Sequence, residues 1–212
     1  MKKLERTDNN IMRIALSFFG ACENLLVLED YFIKIGILTY PQYVNYLSQI
    51  ALCIELGMKS ILLNEGDIPK THDIKELYAL MPPSFRDMFL NNPFPKKTIE
   101  KSLEKIRNIF EEFRYMKTEN LDFFLDKSIL TKDNKIILSQ LQRLQNFNFI
   151  IILLDKIKDF YKFLNNCIDT NNIFKNVTKN KVSYKTENTD LLNAISKYTV
   201  ELKRIQPQLV YE

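Results

Sequence analysis

Apolar residues recur at three- and four-residue spacing along most of this chain, the repeat that lines one face of an α-helix. Over residues 8 to 35 the stripe is Ile11, Ile14, Ala15, Phe18, Phe19, Cys22, Leu25 and Leu26, with Glu29 on the same face. Asp8 or Asn9 is placed to cap this helix and Gly36 to stop it. Thr39 as cap and Pro41 in the first turn begin a second helix over 41 to 64, striped by Tyr43, Tyr46, Leu47, Ile50, Ala51, Ile54, Met58, Ile61 and Leu62. "NEGD" ends it, with Gly66 suited to a left-handed closing residue.

Asp73 and Glu76 have the spacing of a capping box and open a short helix over 73 to 81, which Pro82 and Pro83 halt. Ser84 can cap one further turn, "FRDMFL", before the loop "NNPFPKK". An amphipathic helix over 96 to 116 carries Ile99, Leu103, Ile106, Ile109, Phe110 and Phe113 inward. "TENLDFFLDKSIL" reads as a short helix or turn. The longest helical pattern spans 132 to 167 and is apolar nearly all round in its middle, which predicts a helix through the centre of a bundle. Residues 169 to 188 are polar and β-branched without a period, a loop; a last helix over 189 to 205 carries Leu191, Leu192, Ile195, Tyr198, Leu202 and Ile205.

These elements predict an all-α fold: an antiparallel helical bundle over 1 to 168, a polar loop over 169 to 188, and a C-terminal helix within 189 to 212 packed on the side of the same domain. Composition agrees, since only 4 glycines and 7 prolines leave too few turn residues for an all-β chain. The net charge of +4 is too small to demand a nucleic-acid partner. Cys22, Cys53 and Cys167 sit in apolar surroundings without a Cys-x-x-Cys pair and read as buried free thiols of a reducing compartment. One histidine and scattered cysteines do not fill a tetrahedral site, so neither a metal nor another cofactor is expected. The N-terminus is charged with no long apolar run behind it, and the longest apolar run, "FIIILL", falls short of the about 20 residues that span a bilayer. A soluble cytoplasmic protein without a membrane partner is expected.

Chemistry concentrates around "KTHD", which holds the only histidine, His72. His72 can pack structurally at the start of the short helix or contact a ligand. Glu55 and Lys59 stand one helical turn apart in the order that favours an ion pair. Arg114 has the fork that suits phosphate or carboxylate, and equally an intrachain salt bridge. Lys96 and Lys97 lie at a helix start, where backbone N–H groups favour anions, though a solvated face explains them as well. There is no Gly-rich phosphate loop, metal-ligand spacing or nucleophile elbow.

The run "YLSQIALCIELGMKSILLNEG", then "IPKTHDIKELYALMPPSFRDMF", then "FEEFRYM", resembles the HEPN superfamily over roughly residues 10 to 165. The matching residues are Glu55, Leu56, Lys59, Leu62, Thr71, His72, Asp73, Ile74, Leu77, Met81, Pro82, Phe110, Phe113, Arg114 and Tyr115. The resemblance implies a HEPN-like bundle of the toxin–antitoxin or abortive-infection type, pairing as a homodimer. Ribonucleases of that superfamily carry an Arg-x4–6-His motif, which is absent here, so their catalytic residues are not carried over. What the resemblance implies instead is a protein that binds RNA or nucleotide without cutting it, with His72, Lys59, Lys70, Arg114, Lys96 and Lys97 as contact residues. The alternative is a non-enzymatic module that binds a protein partner or itself.

Overall fold

The computed structural model describes residues 2–90, 95–115, 136–137, 145–167 and 189–204. Within them the chain is all-α, with seven helices and four two-residue strands. In order these are β1 (Lys3–Leu4), α1 (Asp8–Ile35), β2 (Ile37–Leu38), α2 (Tyr40–Glu65), β3 (Ile68–Pro69), α3 (Ile74–Leu80), α4 (Pro83–Leu90), α5 (Lys96–Tyr115), β4 (Ile136–Ile137), α6 (Gln145–Cys167) and α7 (Thr189–Arg204).

Local chemistry sets most boundaries. Thr7, rather than Asp8 or Asn9, caps α1, its hydroxyl accepting from the Asn10 N–H at 3.2 Å. Gly36 ends α1 at φ 70°, a left-handed conformation that glycine adopts without steric cost. Thr39 caps α2; the Gln42 side chain reaches back to the Thr39 N–H at 2.8 Å. Gly66 closes α2 in an extended conformation (φ 171°), not the left-handed one expected of it. Asp73 caps α3, accepting from the N–H groups of Lys75 and Glu76.

Helix α2 is the hub. It packs against α1, α3, α5, α6 and α7, and Tyr43, Ile50, Ala51, Cys53, Ile54, Met58, Ile61 and Leu63 on it are fully buried. The inner face of α1 meets it with Ile11, Ala15, Phe18, Phe19, Cys22, Leu25 and Phe32. Helix α6 lies along both, stacking Phe160 on Phe18 at 5.4 Å between ring centroids and setting the Tyr161 ring edge-on to Phe19 at 5.3 Å. A second aromatic group, Tyr78, Phe85, Phe89 and Phe149, joins α3, α4 and α6. Helix α7 docks on α2 and α6, where Asn64 donates to Thr199 Oγ1 and accepts from Ser196 Oγ, and Lys203 pairs with Glu65.

Two tiny antiparallel ladders pin the ends. β1 pairs with β3, Leu4 opposite Ile68, and β2 pairs with β4, Leu38 opposite Ile136. The second ladder corrects the expectation of one helix running from 132: Ile136 and Ile137 are extended, and the described helix begins at Gln145. An apolar β-branched run fits a ladder as well as a helix, and pairing with Ile37–Leu38 decides it here. "TENLDFFLDKSIL" and the segment 169 to 188 lie outside the described residues.

By length and composition, Asp8–Ile35 and Pro41–Glu65 are each long and apolar enough to cross a membrane, which the count of contiguous apolar residues does not reveal. The apolar window of α2 is 78% buried inside the bundle, the mark of a core helix; that of α1 is only 44% buried.

Gly57 marks a close approach in the core. A Cβ there would stand 2.5 Å from Ile157 Cγ2 and 3.0 Å from the Phe18 ring. The colliding atom is a branch methyl on a stiff side chain, so it cannot swing away cheaply. Gly57→Ala is therefore expected to destabilise the protein by about 1–3 kcal/mol despite alanine's better helix propensity. Urea unfolding checks this, and the loss in Gly57→Ala/Ile157→Ala should be smaller than the sum of the two single losses.

Candidate functional site

The residues singled out around "KTHD" meet at the junction of α2 and α3. Glu55 and Lys59 lie on a face of α2 that the bundle covers, leaving them 2% and 7% exposed. A buried carboxylate and a buried ammonium are each costly alone, so they pair: Lys59 Nζ donates to Glu55 Oε1 at 2.6 Å. His72 Nδ1 lies 3.0 Å from the same oxygen. A carboxylate oxygen can only accept, which places a proton on Nδ1. The other carboxylate oxygen, Oε2, is buried with no hydrogen-bond partner among the described residues.

The loop that delivers His72 is held at both ends. On one side Lys70 donates its N–H to the Lys2 carbonyl at 3.0 Å, extending the β1–β3 ladder. On the other the Asp73 N–H bonds Thr71 Oγ1 at 3.0 Å, and the Asp73 carboxylate caps α3. The imidazole is fixed from below by Glu55 while its side chain stays 62% exposed.

Of the two roles open to Lys59, the geometry is that of the ion pair: its ammonium is turned into the bundle and its charge is matched by Glu55. Lys70, Lys96 and Lys97 are exposed and make no salt bridge among the described residues. Lys96 and Lys97 occupy the first turn of α5. Arg114 lies near the end of α5, and its side chain is outside the described residues. Three of the six expected contact residues are thus exposed lysines, and among the described side chains His72 and Lys59 are the two that are joined, through Glu55. The dyad of carboxylate and imidazole orients a proton-carrying ring. Among the described residues no group of three or more His, Cys, Asp and Glu side chains is arranged to hold a metal ion.

Three features escaped the sequence. Glu29, on the inward stripe of α1, accepts from Lys158 of α6 through both oxygens at 2.6 Å and from the Tyr46 hydroxyl at 3.4 Å. A charge on an apolar stripe was the available signal, matched by Lys158 within the apolar centre of α6. Cys22 and Cys53 come together between α1 and α2; the Cys53 thiol beside it, then burial, push the Cys22 thiol well above the ordinary thiol range. Cys167, expected to be buried, is exposed.

The third feature is the outer side of the C-terminal half of α1. Leu26, Val27, Tyr31, Ile33 and Ile35, with Ile37 just beyond, are all exposed, Val27 at 69% and Ile33 at 71%. Asp30 and Lys34 lie among them, paired to each other at 2.6 Å with about 70% of each side chain in water. The legible signal was "LLVLEDYFIKIGI", which holds more apolar residues than one inward face can bury.

No protein-family model, curated protein or solved structure matches this chain.

Three expected outcomes come from this geometry. Lys59→Met should cost about 3–5 kcal/mol in chemical denaturation, because the Glu55 carboxylate is left buried without its counter-charge, while Glu55→Gln/Lys59→Met should cost less than Lys59→Met alone. His72→Ala, which removes an exposed ring, should cost only about 1 kcal/mol. In a native-state alkylation time course, iodoacetamide should modify Cys167 first and reach Cys22 and Cys53 only after unfolding.

Proposed function

We propose that this chain is a non-enzymatic protein-interaction module on a HEPN-like bundle, acting in a phage-defence or toxin–antitoxin type system. The observation that carries this reading is the exposed apolar side of α1, Leu26, Val27, Tyr31, Ile33, Ile35 and Ile37. Apolar surface left in water forgoes about 25 cal/mol per Å², and exposed apolar residues gathered on one helix face around a single ion pair favour covering by another molecule. The HEPN-like part is supported by the way the matching residues act on one another. Glu55 and Lys59 from the Glu-Leu-x-x-Lys run hold His72 from the Thr-His-Asp run, so the motif works here as an internal lock between α2 and α3.

The second reading, binding of RNA or nucleotide, is favoured by the exposed His72 ring with Lys70 two residues away. It ranks lower because the Lys59 charge is spent inside the bundle.

The test compares the tagged wild-type chain with Val27→Asn/Ile33→Asn, a pair of exposed changes that should leave the melting temperature within about 2 °C, as surface substitutions do. The wild type is expected to retain a bound protein, identified by mass spectrometry, that the variant loses, and to bind labelled single-stranded RNA no better than the variant. RNA binding that falls steeply with salt and disappears in Lys70→Ala/His72→Ala, with no protein held by α1, would put the nucleic-acid reading first.

A further inference from the structure

We infer that the Arg86 guanidinium, with the Tyr78 hydroxyl beside it, is a binding site for a carboxylate, carried by a small acid or by the end of a peptide. The site lies where α3 meets α4 and is independent of what the α1 face binds. Arg86 is partly buried, and its Nε–H is buried with no acceptor among the described residues. A guanidinium is always charged and offers five N–H donors. Burying one of them unpaired costs its full desolvation, so native chains rarely leave a donor in that state.

The neighbouring side chains do not supply the acceptor. Phe85, Phe89 and Phe149 are fully buried, pack ring to ring beneath this side of α4, and are hydrocarbon. Asp87 is the carboxylate nearest in sequence, but adjacent residues point about 100° apart round a helix. Asp87 and Arg86 make no ion pair among the described residues. What does stand near is a second donor. Phe89 lies three residues from Arg86, on the adjoining strip of α4, and its ring meets the Tyr78 ring at 6.0 Å between centroids. Burial pushes the Tyr78 hydroxyl up to about 12, while nearby Arg86 pulls it down and nearby Asp87 pushes it up. The hydroxyl therefore keeps its proton at neutral pH and can donate it.

One cationic donor and one neutral donor over an apolar floor select the ligand. The Nε–H and one terminal N–H of an arginine point the same way, and the two oxygens of a carboxylate accept them as a parallel pair. The low dielectric of the aromatic floor strengthens a charge-assisted bond of this kind. The single charge of Arg86 balances a single carboxylate. A phosphate monoester would bring roughly two negative charges beside Asp87, with only Arg86 to meet them, and is disfavoured.

Heteronuclear NMR of the arginine Nε–H groups of the full chain tests this, because the Arg86 signal reports on its own acceptor. That signal is the one lost in Arg86→Lys, or, if that variant does not fold, the one assigned through bonds from the Arg86 backbone. The titrants, at constant ionic strength against sodium chloride, are sodium acetate, acetyl-Ala-Ala-Ala with a free C-terminus, the same peptide amidated, and inorganic phosphate. The Arg86 Nε–H resonance is expected to move downfield and saturate with a free carboxylate, and to stay in place with the amidated peptide. Saturation by acetate assigns the site to small acids, and saturation by the free peptide alone assigns it to a peptide terminus. Tyr78→Phe should weaken the binding about tenfold, the scale of one hydrogen bond to a charged group. A resonance that neither carboxylate moves overturns the inference. So do an equal response to the amidated peptide, tighter binding of phosphate, or an affinity that Tyr78→Phe leaves unchanged.

Discussion

Helix α2 touches α1, α3, α5, α6 and α7, so nearly every side chain from Tyr43 to Leu63 must be satisfied by protein rather than by water. Three consequences follow from that single constraint. The helix carries mostly apolar side chains, and its buried Ser60 hydroxyl bonds back to the Leu56 carbonyl. Where Ile157 and Phe18 crowd the backbone a Cβ would collide, and Gly57 is found there. Where charge is present it must be matched on the spot, and Lys59 is matched by Glu55. A buried ion pair of this kind adds little net stability over well-packed apolar residues, because desolvation offsets most of the attraction. Its effect is positional: with Lys59 holding the carboxylate, Glu55 presents a fixed acceptor to His72, and the loop before α3 has one seating on the bundle.

Much of this was legible in sequence because the signals were local. The stripe of α2 marks it as a core helix, and Gly36, Thr39, Pro41 and Asp73 each sit where their backbone preferences place them. The spacing of Glu55 and Lys59 identifies their pairing without any tertiary information. What the sequence hid depended on partners far along the chain. Ile136 and Ile137 are extended because Ile37 and Leu38 offer a ladder, about a hundred residues away. His72 reaches Glu55 across a loop whose path is set by β1, and nothing local to "KTHD" says so. Gly66 shows the limit of a residue-type argument: glycine permits the left-handed conformation, but the chain toward Ile68 leaves extended.

The outer face of α1 was missed for a different reason. Periodicity finds the face that packs and is silent about a helix that is apolar on two sides. Between Leu25 and Ile37 the inward positions Leu25 and Phe32 are buried, while Val27, Tyr31 and Ile33 are equally apolar and look outward. Helix α2 is comparably apolar, yet 78% of its apolar window is buried against 44% for α1. That difference in surroundings becomes visible only once the other helices are in place.

The same bookkeeping applies to charge. A net charge of +4 suggests basic surface available to an anion, yet charge belongs to places and not to compositions. Lys59 faces Glu55, Lys158 faces Glu29, Lys34 faces Asp30 and Lys203 faces Glu65. Two of these pairs, Lys59 with Glu55 and Lys158 with Glu29, are buried or nearly so and join or lock elements of the core. Lysines spent in this way cannot also neutralise phosphates, since a second anion at the same ammonium would have to displace the first. Each such pair matches one cation with one anion, so these four lysines are neutralised while the net excess of +4 rests on other residues, and α1 adds exposed apolar side chains to the described surface. That is why the α1 face, rather than the histidine with which the chemistry began, carries the functional reading.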